Sequence, residues 1–270
     1  MSESNDWQVP GSGAEIYETV FVPAMMGEWA PKAMALANPQ PGERVLDIAC
    51  GTGVVTRLVA KSIGSNGRVV GLDLNPDMLA VARKNTINPS SAAPIEWREG
   101  DASALPFENE TFDVIFCAFG LMSFPDRVAA LKEMHQVLMP NGRLAVLVWG
   151  SISKCPGQTA MKESWERHSG TDNPGLVVQT KMHSLSDPET VLSLVHDAGF
   201  RDASVQTAMG AVRLPSPEHL VRSFGAMTGI QADEQTRNKV IDEVSVSLQA
   251  YVGAEGLVYP IEAILASARK

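Results

Sequence analysis

Basic residues are in short supply: 22 lysines and arginines stand against 31 aspartates and glutamates, a formal net charge of −9 over 270 residues. A nucleic-acid surface needs clustered cations to neutralise phosphates, and no basic stripe is present, so no nucleic-acid partner is expected. An anionic membrane surface is disfavoured on the same ground. Cysteine is equally sparse. Cys50, Cys117 and Cys155 have neither metal-ligand nor redox spacing, so no metal is expected, and an odd number of thiols fits a reducing compartment. Cys50 and Cys117 each sit where a strand meets a loop and read as small apolar fillers. No apolar run reaches the length a bilayer requires, so no membrane span is expected. The opening residues, Met1-Ser2-Glu3-Ser4-Asn5-Asp6, are polar and acidic without a signal-peptide pattern, which sets the expectation of a cytoplasmic protein. Repeats and low-complexity tracts are absent. What is present is 44% hydrophobic residues, enough for a sizeable core.

The chain opens with a loose tail over residues 1–13. Residues 14–37 have a helical pattern interrupted by Pro23 and Pro31, which predicts three short helices at 14–21, 24–29 and 32–37. Asn38-Pro39-Gln40-Pro41-Gly42 is a turn. Strand and helix then alternate: a strand into Asp47, a helix from Val54, strands at 68–73 and 95–99, a helix at 76–85, a strand at 112–117, a helix at 127–138 and a strand at 143–149. Alternation of this kind implies right-handed crossovers and a parallel sheet covered on both faces. After Trp149 the pattern lapses. A helix at 158–168, a helix at 187–198 stopped by Gly199, and a strand at 203–207 are predicted. An irregular stretch at 208–218 then leads to helices at 219–227 and 234–250 and an edge strand at 257–266. The expectation is one α/β domain over residues 1–270. It has a Rossmann-like, seven-stranded, mostly parallel sheet with helices on both faces and a helical cap drawn from 150–182 and 208–250.

The organising stretch is Val45-Leu46-Asp47-Ile48-Ala49-Cys50-Gly51-Thr52-Gly53. A β-branched strand runs into small residues and straight into a helix, so main-chain N–H groups can approach a ligand without Cβ interference. One strand later, Arg68-Val69-Val70-Gly71-Leu72-Asp73 places a carboxylate about 20 residues after the glycines, where a ribose-binding acid belongs. Such an acid can accept hydrogen bonds from both ribose hydroxyls.

Together these residues resemble the cofactor site of class I S-adenosylmethionine-dependent methyltransferases. Ala49 replaces the first glycine of that family's motif, which implies that position 49 does not need a left-handed backbone. The resemblance casts Asp47, Ala49, Gly51, Thr52 and Gly53 as the cofactor loop, Asp73 as the ribose acid, and Leu74 and Met78 as flanks of the adenine. Gly100-Asp101-Ala102 resembles the adenine-edge motif, where the acid takes the exocyclic amine and the next N–H a ring nitrogen. Within Thr111–Gly120, Ala118 and Phe119 should face the methionine end. Leu131–Leu144, with the turn Pro140-Asn141-Gly142, looks like the family's post-core motif. The likeness is closest to the branch holding ubiquinone and menaquinone biosynthesis enzymes, and it fades after Trp149.

The resemblance implies S-adenosyl-L-methionine as cofactor and a small-molecule methyl acceptor as partner. It also makes Tyr17 a candidate lid residue. Met25, Met26, Met122, Met161, Met209 and Met227 suit an irregular apolar or aromatic acceptor. His168, His183, Glu163 and Glu166 are possible bases, more readily read as solvated cap residues, and no catalytic residue is assigned. Oligomeric state stays open, a homodimer among the options. A nicotinamide-dependent oxidoreductase fits worse, because its third glycine would fall at Thr56. Cofactor binding without methyl transfer is the other alternative.

Overall fold

The computed structural model describes residues 11–87, 89–170, 174–230 and 232–270; residues 1–10 of the expected tail lie outside them. Strands β1 (Arg44–Ile48), β2 (Arg68–Asp73), β3 (Ile95–Glu99), β4 (Phe112–Ala118), β5 (Leu138–Trp149), β6 (Arg201–Leu214), β7 (Val252–Gly253) and β8 (Gly256–Arg269) form one sheet. Its order is β3-β2-β1-β4-β5-β8-β6, with β7 paired to β8. The first five pair in parallel, whereas β8 runs antiparallel to both β5 and β6. The seven-stranded, mostly parallel expectation therefore holds, with the small β7 added.

Central strands read as continuous apolar runs because helices flank the sheet. Val45, Leu46 and Ile48 of β1, Val114–Cys117 of β4 and Leu144–Val148 of β5 are all buried. Two of the helices between them start on side-chain caps. Asn75 accepts from the Asp77 amide ahead of α4 (Pro76–Lys84), with proline at its first turn. Asp126 accepts from Ala129 ahead of α5 (Arg127–Val137). The helix after β1, α3, spans Val54–Ile63.

Four expectations need correction. The N-terminal helices are one continuous run: α1 (Gly13–Ile16), a π-helical segment (Tyr17–Met26) and α2 (Gly27–Ala37). Pro23 and Pro31 lie inside it. Each removes one backbone donor; the wide π turn makes room for the Pro23 ring, Pro31 lies near the start of α2, and burial of Phe21, Met25, Met26, Trp29 and Ala33 outweighs the loss. Second, Pro140-Asn141-Gly142 is no separate turn. It is a bulged stretch of β5, with Asn141 at φ 65° and a register shift opposite Phe112 and Val114. Third, residues 208–214 are not irregular; they continue β6, whose register with β8 is unbroken from Ser204 to Leu214. Fourth, β8 is an interior strand and β6 is the edge.

That edge is covered from the N-terminal run. Glu28 accepts from the Ala211 amide at 3.0 Å and Lys32 donates to the Met209 carbonyl at 3.2 Å, satisfying groups an edge strand would expose. Helices α6 (Pro156–Ser169), α7 (Pro174–Met182), α9 (Pro217–Thr228) and α10 (Glu234–Ser247) pack on one another, and α1 rests on α9; α8 (Pro188–Asp197) packs on β6. No helix among the described residues is long and apolar enough to cross a membrane.

Candidate active site

Strand β1 delivers Asp47 and ends at Ile48. The chain then turns through Ala49 (φ 54°), Gly51 (55°) and Gly53 (85°). Glycine adopts such angles freely, whereas an L-residue is disfavoured there by roughly 1–2 kcal/mol. Ala49 thus overturns the expectation that its position is not left-handed. Gly120 explains how it is tolerated: a Cβ added at Gly120 would lie 2.5 Å from the Cβ of Ala49, so the side chain missing at 120 makes room for the one at 49. Gly53 is needed for packing too, since a Cβ there would fall 2.2 Å from the Trp97 ring.

Asp47 is buried, and its Oδ2 accepts from the Thr56 hydroxyl at 2.6 Å. Burial pushes its carboxyl up to about 7 against the pull of the Thr56 hydrogen bond. Thr52 is fully buried and its Oγ1 has no hydrogen-bond partner. At the end of β2, Asp73 ties the turn together. Its Oδ2 accepts from the Gly51 amide at 2.7 Å and its Oδ1 from the Asn75 amide at 2.9 Å. Burial raises this carboxyl while the backbone donors offset part of the rise. A carboxylate offers about four lone-pair sites, so acceptor capacity remains for a diol.

Tyr17, Asp47, Ala49, Cys50, Ala118 and Phe119 converge on one small cavity at the carboxyl ends of β1 and β4. Phe119, at φ 62°, stacks on Trp149 with centroids 3.8 Å apart, and Trp29 meets both rings edge-on. A second cavity of about 150 Å³ adjoins it, walled chiefly by Phe21, Met25, Met122, Trp149, Leu220 and Phe224. Tyr17, Met26 and Phe119 border both cavities. Among the expected site residues, Leu74 (67% exposed), half-buried Met78, Gly100, Asp101 and buried Ala102 lie outside this lining, past the ends of β2 and β3. Asp101 is exposed; the Ser103 amide and hydroxyl, both at 2.8 Å, hold its carboxyl below the usual range.

Residues 19–174 match the ubiE/COQ5 methyltransferase family. The chain belongs to that family. A demethylmenaquinone methyltransferase of Staphylococcus epidermidis is 32% identical over 192 residues, covering 68% of this chain and 78% of that one. A ubiquinone/menaquinone biosynthesis C-methyltransferase of Ectopseudomonas mendocina is 34% identical over 198 residues, with 68% and 75% covered. Among solved structures, phosphoethanolamine N-methyltransferase 2 of Haemonchus contortus, in complex with phosphomonomethylethanolamine and S-adenosylhomocysteine, aligns with a TM-score of 0.59 at 20% identity. That alignment covers 96% of this chain and 57% of that one, and it speaks to fold. This ubiE/COQ5 family member is an S-adenosylmethionine-dependent enzyme that methylates a small molecule.

The site residues present fit that cofactor: a carboxylate with unused lone pairs after β2, a buried hydroxyl without a partner in the turn, and a second buried acid. Of the possible bases, His168 pairs with Glu243 at 2.8 Å, Glu166 pairs with Lys162 at 2.6 Å, and Glu163 is exposed. His183 is buried with Nδ1 2.8 Å from the Gly150 carbonyl oxygen, so Nδ1 donates and Nε2 is a neutral acceptor. Burial lowers its pKa, and the hydrogen bond to the Gly150 carbonyl offsets part of that fall. Of the six methionines, Met25, Met26, Met122 and Met227 line the larger cavity, Met161 is buried elsewhere and Met209 is exposed. Sequence reasoning missed Trp29, Trp149, Met182, Gln158, Leu220 and Phe224. Leu220 and Phe224, four positions apart in the predicted helix at 219–227, had a local signal as one apolar face; the others had none.

Proposed function

We propose that the cavity beside Phe119 receives a small apolar or aromatic methyl acceptor and that the acid and glycine turn of β1 and β2 holds S-adenosylmethionine. The observation that carries this reading is the shared wall. A methionine-rich cavity of about 150 Å³ meets the Asp47 cavity along Tyr17, Met26 and Phe119. Ligands of open α/β sheets sit beyond the carboxyl ends of strands, where β4 and β5 deliver Phe119 and Trp149. Quinone-type names among the relatives, such as the 2-phytyl-1,4-naphtoquinone methyltransferase of Thermosynechococcus vestitus, support an aromatic acceptor.

When bound, the cofactor supplies a methyl group already activated on a sulfonium. The chain's residues then have four tasks. Asp73 accepts from the ribose hydroxyls, and its charge repels a 2′-phosphate. Asp47 and the Gly51–Gly53 turn, with the Thr52 hydroxyl, hold the amino acid end. Leu74 and Met78 flank the adenine, with Asp101 and the Ala102 amide at its edge. Ala118 and Phe119, with Tyr17 as lid, align the methyl towards the acceptor and exclude water. Residues 14–37 and 150–182, with the helices after β6, act as a cap over it. The protein works in the cytoplasm without a nucleic-acid partner.

The test is direct. S-adenosylhomocysteine should raise the melting temperature, since a ligand that binds only the folded state stabilises it. NAD and NADP should not. Tritiated methyl from S-adenosylmethionine should pass to members of a panel of phenols, quinols and amines. A shift with NAD and none with S-adenosylhomocysteine would overturn the reading.

A further inference from the structure

The acceptor cavity has one polar wall that nothing in the protein uses. Among its lining residues, Ser123 is exposed at the rim and Tyr17 belongs equally to the cofactor side. Gln158 differs from both. It is 3% exposed, it lines the cavity, and its Oε1 has no hydrogen-bond partner. A buried carbonyl oxygen without a donor is unfavourable, and such atoms in a fold call for a reason.

The placement of Gln158 is built rather than incidental. Gly157 has no side chain because a Cβ there would lie 2.3 Å from Cζ of Tyr259 and 2.6 Å from its hydroxyl. The start of α6 can therefore press onto the Tyr259 ring and bring residue 158 to the cavity wall. From the other side, Gln179 of α7 donates to the Gln158 main-chain carbonyl at 2.6 Å. The backbone of Gln158 is thus pinned by β8 and α7. The buried Tyr259 hydroxyl lies close enough to the Gln158 side-chain amide for that amide to favour the phenolate slightly, yet neither the hydroxyl nor Oε1 has a partner in hydrogen-bond geometry.

Resting on the acceptor site proposed above, we infer that Gln158 is a specificity residue. Its Oε1 accepts a hydrogen bond from a hydroxyl or amine on a single-ring aromatic acceptor. The ring size follows from volume. A cavity of about 150 Å³ is the size that, engineered into another protein's core, takes up one benzene. Phe21, Met25, Met122 and Phe224 provide the apolar faces. Gln158 does not border the Asp47 cavity, whereas Tyr17, Met26 and Phe119 do. The group it holds therefore orients the ring and is distinct from the atom facing the methyl donor.

The experiment compares ligands of one shape. With the whole chain saturated with S-adenosylhomocysteine, dissociation constants for phenol, toluene and 2-naphthol are measured by ligand-observed NMR titration. Wild type should prefer phenol to toluene by roughly tenfold, the ratio a net hydrogen bond to a buried acceptor gives, and should bind 2-naphthol more weakly than phenol. Gln158→Met, close in size but without the carbonyl, should bring the phenol-to-toluene ratio to within about twofold of one. A purely structural residue would weaken both ligands together and leave the ratio unmoved. Tyr259→Phe should keep the preference. An unchanged ratio in Gln158→Met, or a ratio lost only in Tyr259→Phe, would overturn the assignment of Gln158. Tighter binding of 2-naphthol would overturn the single-ring size. If neither ring binds while S-adenosylhomocysteine does, this inference fails and the methyltransferase site stands; if S-adenosylhomocysteine itself does not bind, both fail. Should Gln158→Met not fold, Gln158→Leu and the wild-type ligand ranking still decide the matter.

Discussion

At the scale of single residues, the two acids of the site answer to different measurements. Asp73 accepts from the Gly51 and Asn75 amides, so Asp73→Ala should both loosen the turn and remove the ribose contact. Calorimetric titration should show S-adenosylhomocysteine binding weakened by about 1.5–3 kcal/mol, the range for hydrogen bonds to a charged group. Stability should also fall, because the Gly51 amide loses its partner. Asp73→Asn keeps an acceptor for Gly51 and isolates the charge; unchanged affinity in both variants would remove Asp73 from the site. Asp47 reports through pH. Burial raises its folded-state carboxyl from an ordinary 3.8 to about 7, so across that window the folded chain binds more protons than the unfolded one. The contribution of Asp47 to stability is therefore greatest below about 4 and declines as pH rises towards 7. Asp47→Asn should flatten this decline in thermal melts taken from pH 5 to pH 8. In the wild type, a cationic amino group beside Asp47 favours the ionised acid, so affinity for S-adenosylhomocysteine should rise over the same interval.

At the scale of elements, the N-terminal run is joined to the glycine turn through Arg57 of α3. Its guanidinium pairs with Glu18 of the π-helical segment at 2.9 Å and also donates to the Thr52 carbonyl. Both side chains of the pair are largely screened from water, with about a fifth of each exposed. π-Helical turns tend to occur at functional sites, and this one carries Tyr17 and Met26 to the boundary between the two cavities. Arg57→Ala leaves Glu18 with two unpaired oxygens and frees the segment. Stopped-flow tryptophan fluorescence should show S-adenosylhomocysteine leaving roughly tenfold faster, about 1.4 kcal/mol of lost restraint. Lys84→Ala breaks only the exposed 3.8 Å pair with Glu15 and should leave that rate unchanged. Equal rates in the wild type and Arg57→Ala would mean that the run is not a lid.

At the scale of the whole molecule, the cavity walls come from five separated parts of the chain: residues 17–26, 119–123, 149–158, 182 and 220–227. Closing them around an acceptor should order all five together. Hydrogen exchange with S-adenosylhomocysteine and an acceptor, against the free protein, should show added protection in residues 14–37 and 150–182. Protection confined to the glycine turn and Asp73 would mean that the helices beyond the sheet do not close over the ligand.

The sequence by itself determined β1 to β5, their order of connection and the acids at the ends of β1 and β2. The central strands β1, β4 and the later part of β5 are apolar runs covered on both faces, and α4 and α5 begin on the caps Asn75 and Asp126, so short-range pattern suffices there. The N-terminal run was misread because proline is a local signal, while the burial that overrides Pro23 and Pro31 is set by the sheet beneath. Strand β6 was cut short because Ala208-Met209-Gly210-Ala211 has little apolar contrast: Met209 is exposed and Gly210 stays small only to admit Trp29. The left-handed Ala49 was hidden for the same kind of reason, since its accommodation depends on Gly120, 71 positions away. The acceptor wall was least legible of all. Leu220 and Phe224 share one face of α9, four positions apart, but nothing in the chain ties them to Trp149 or Gln158, and only the folding of α6 and α9 around one cavity makes the four neighbours.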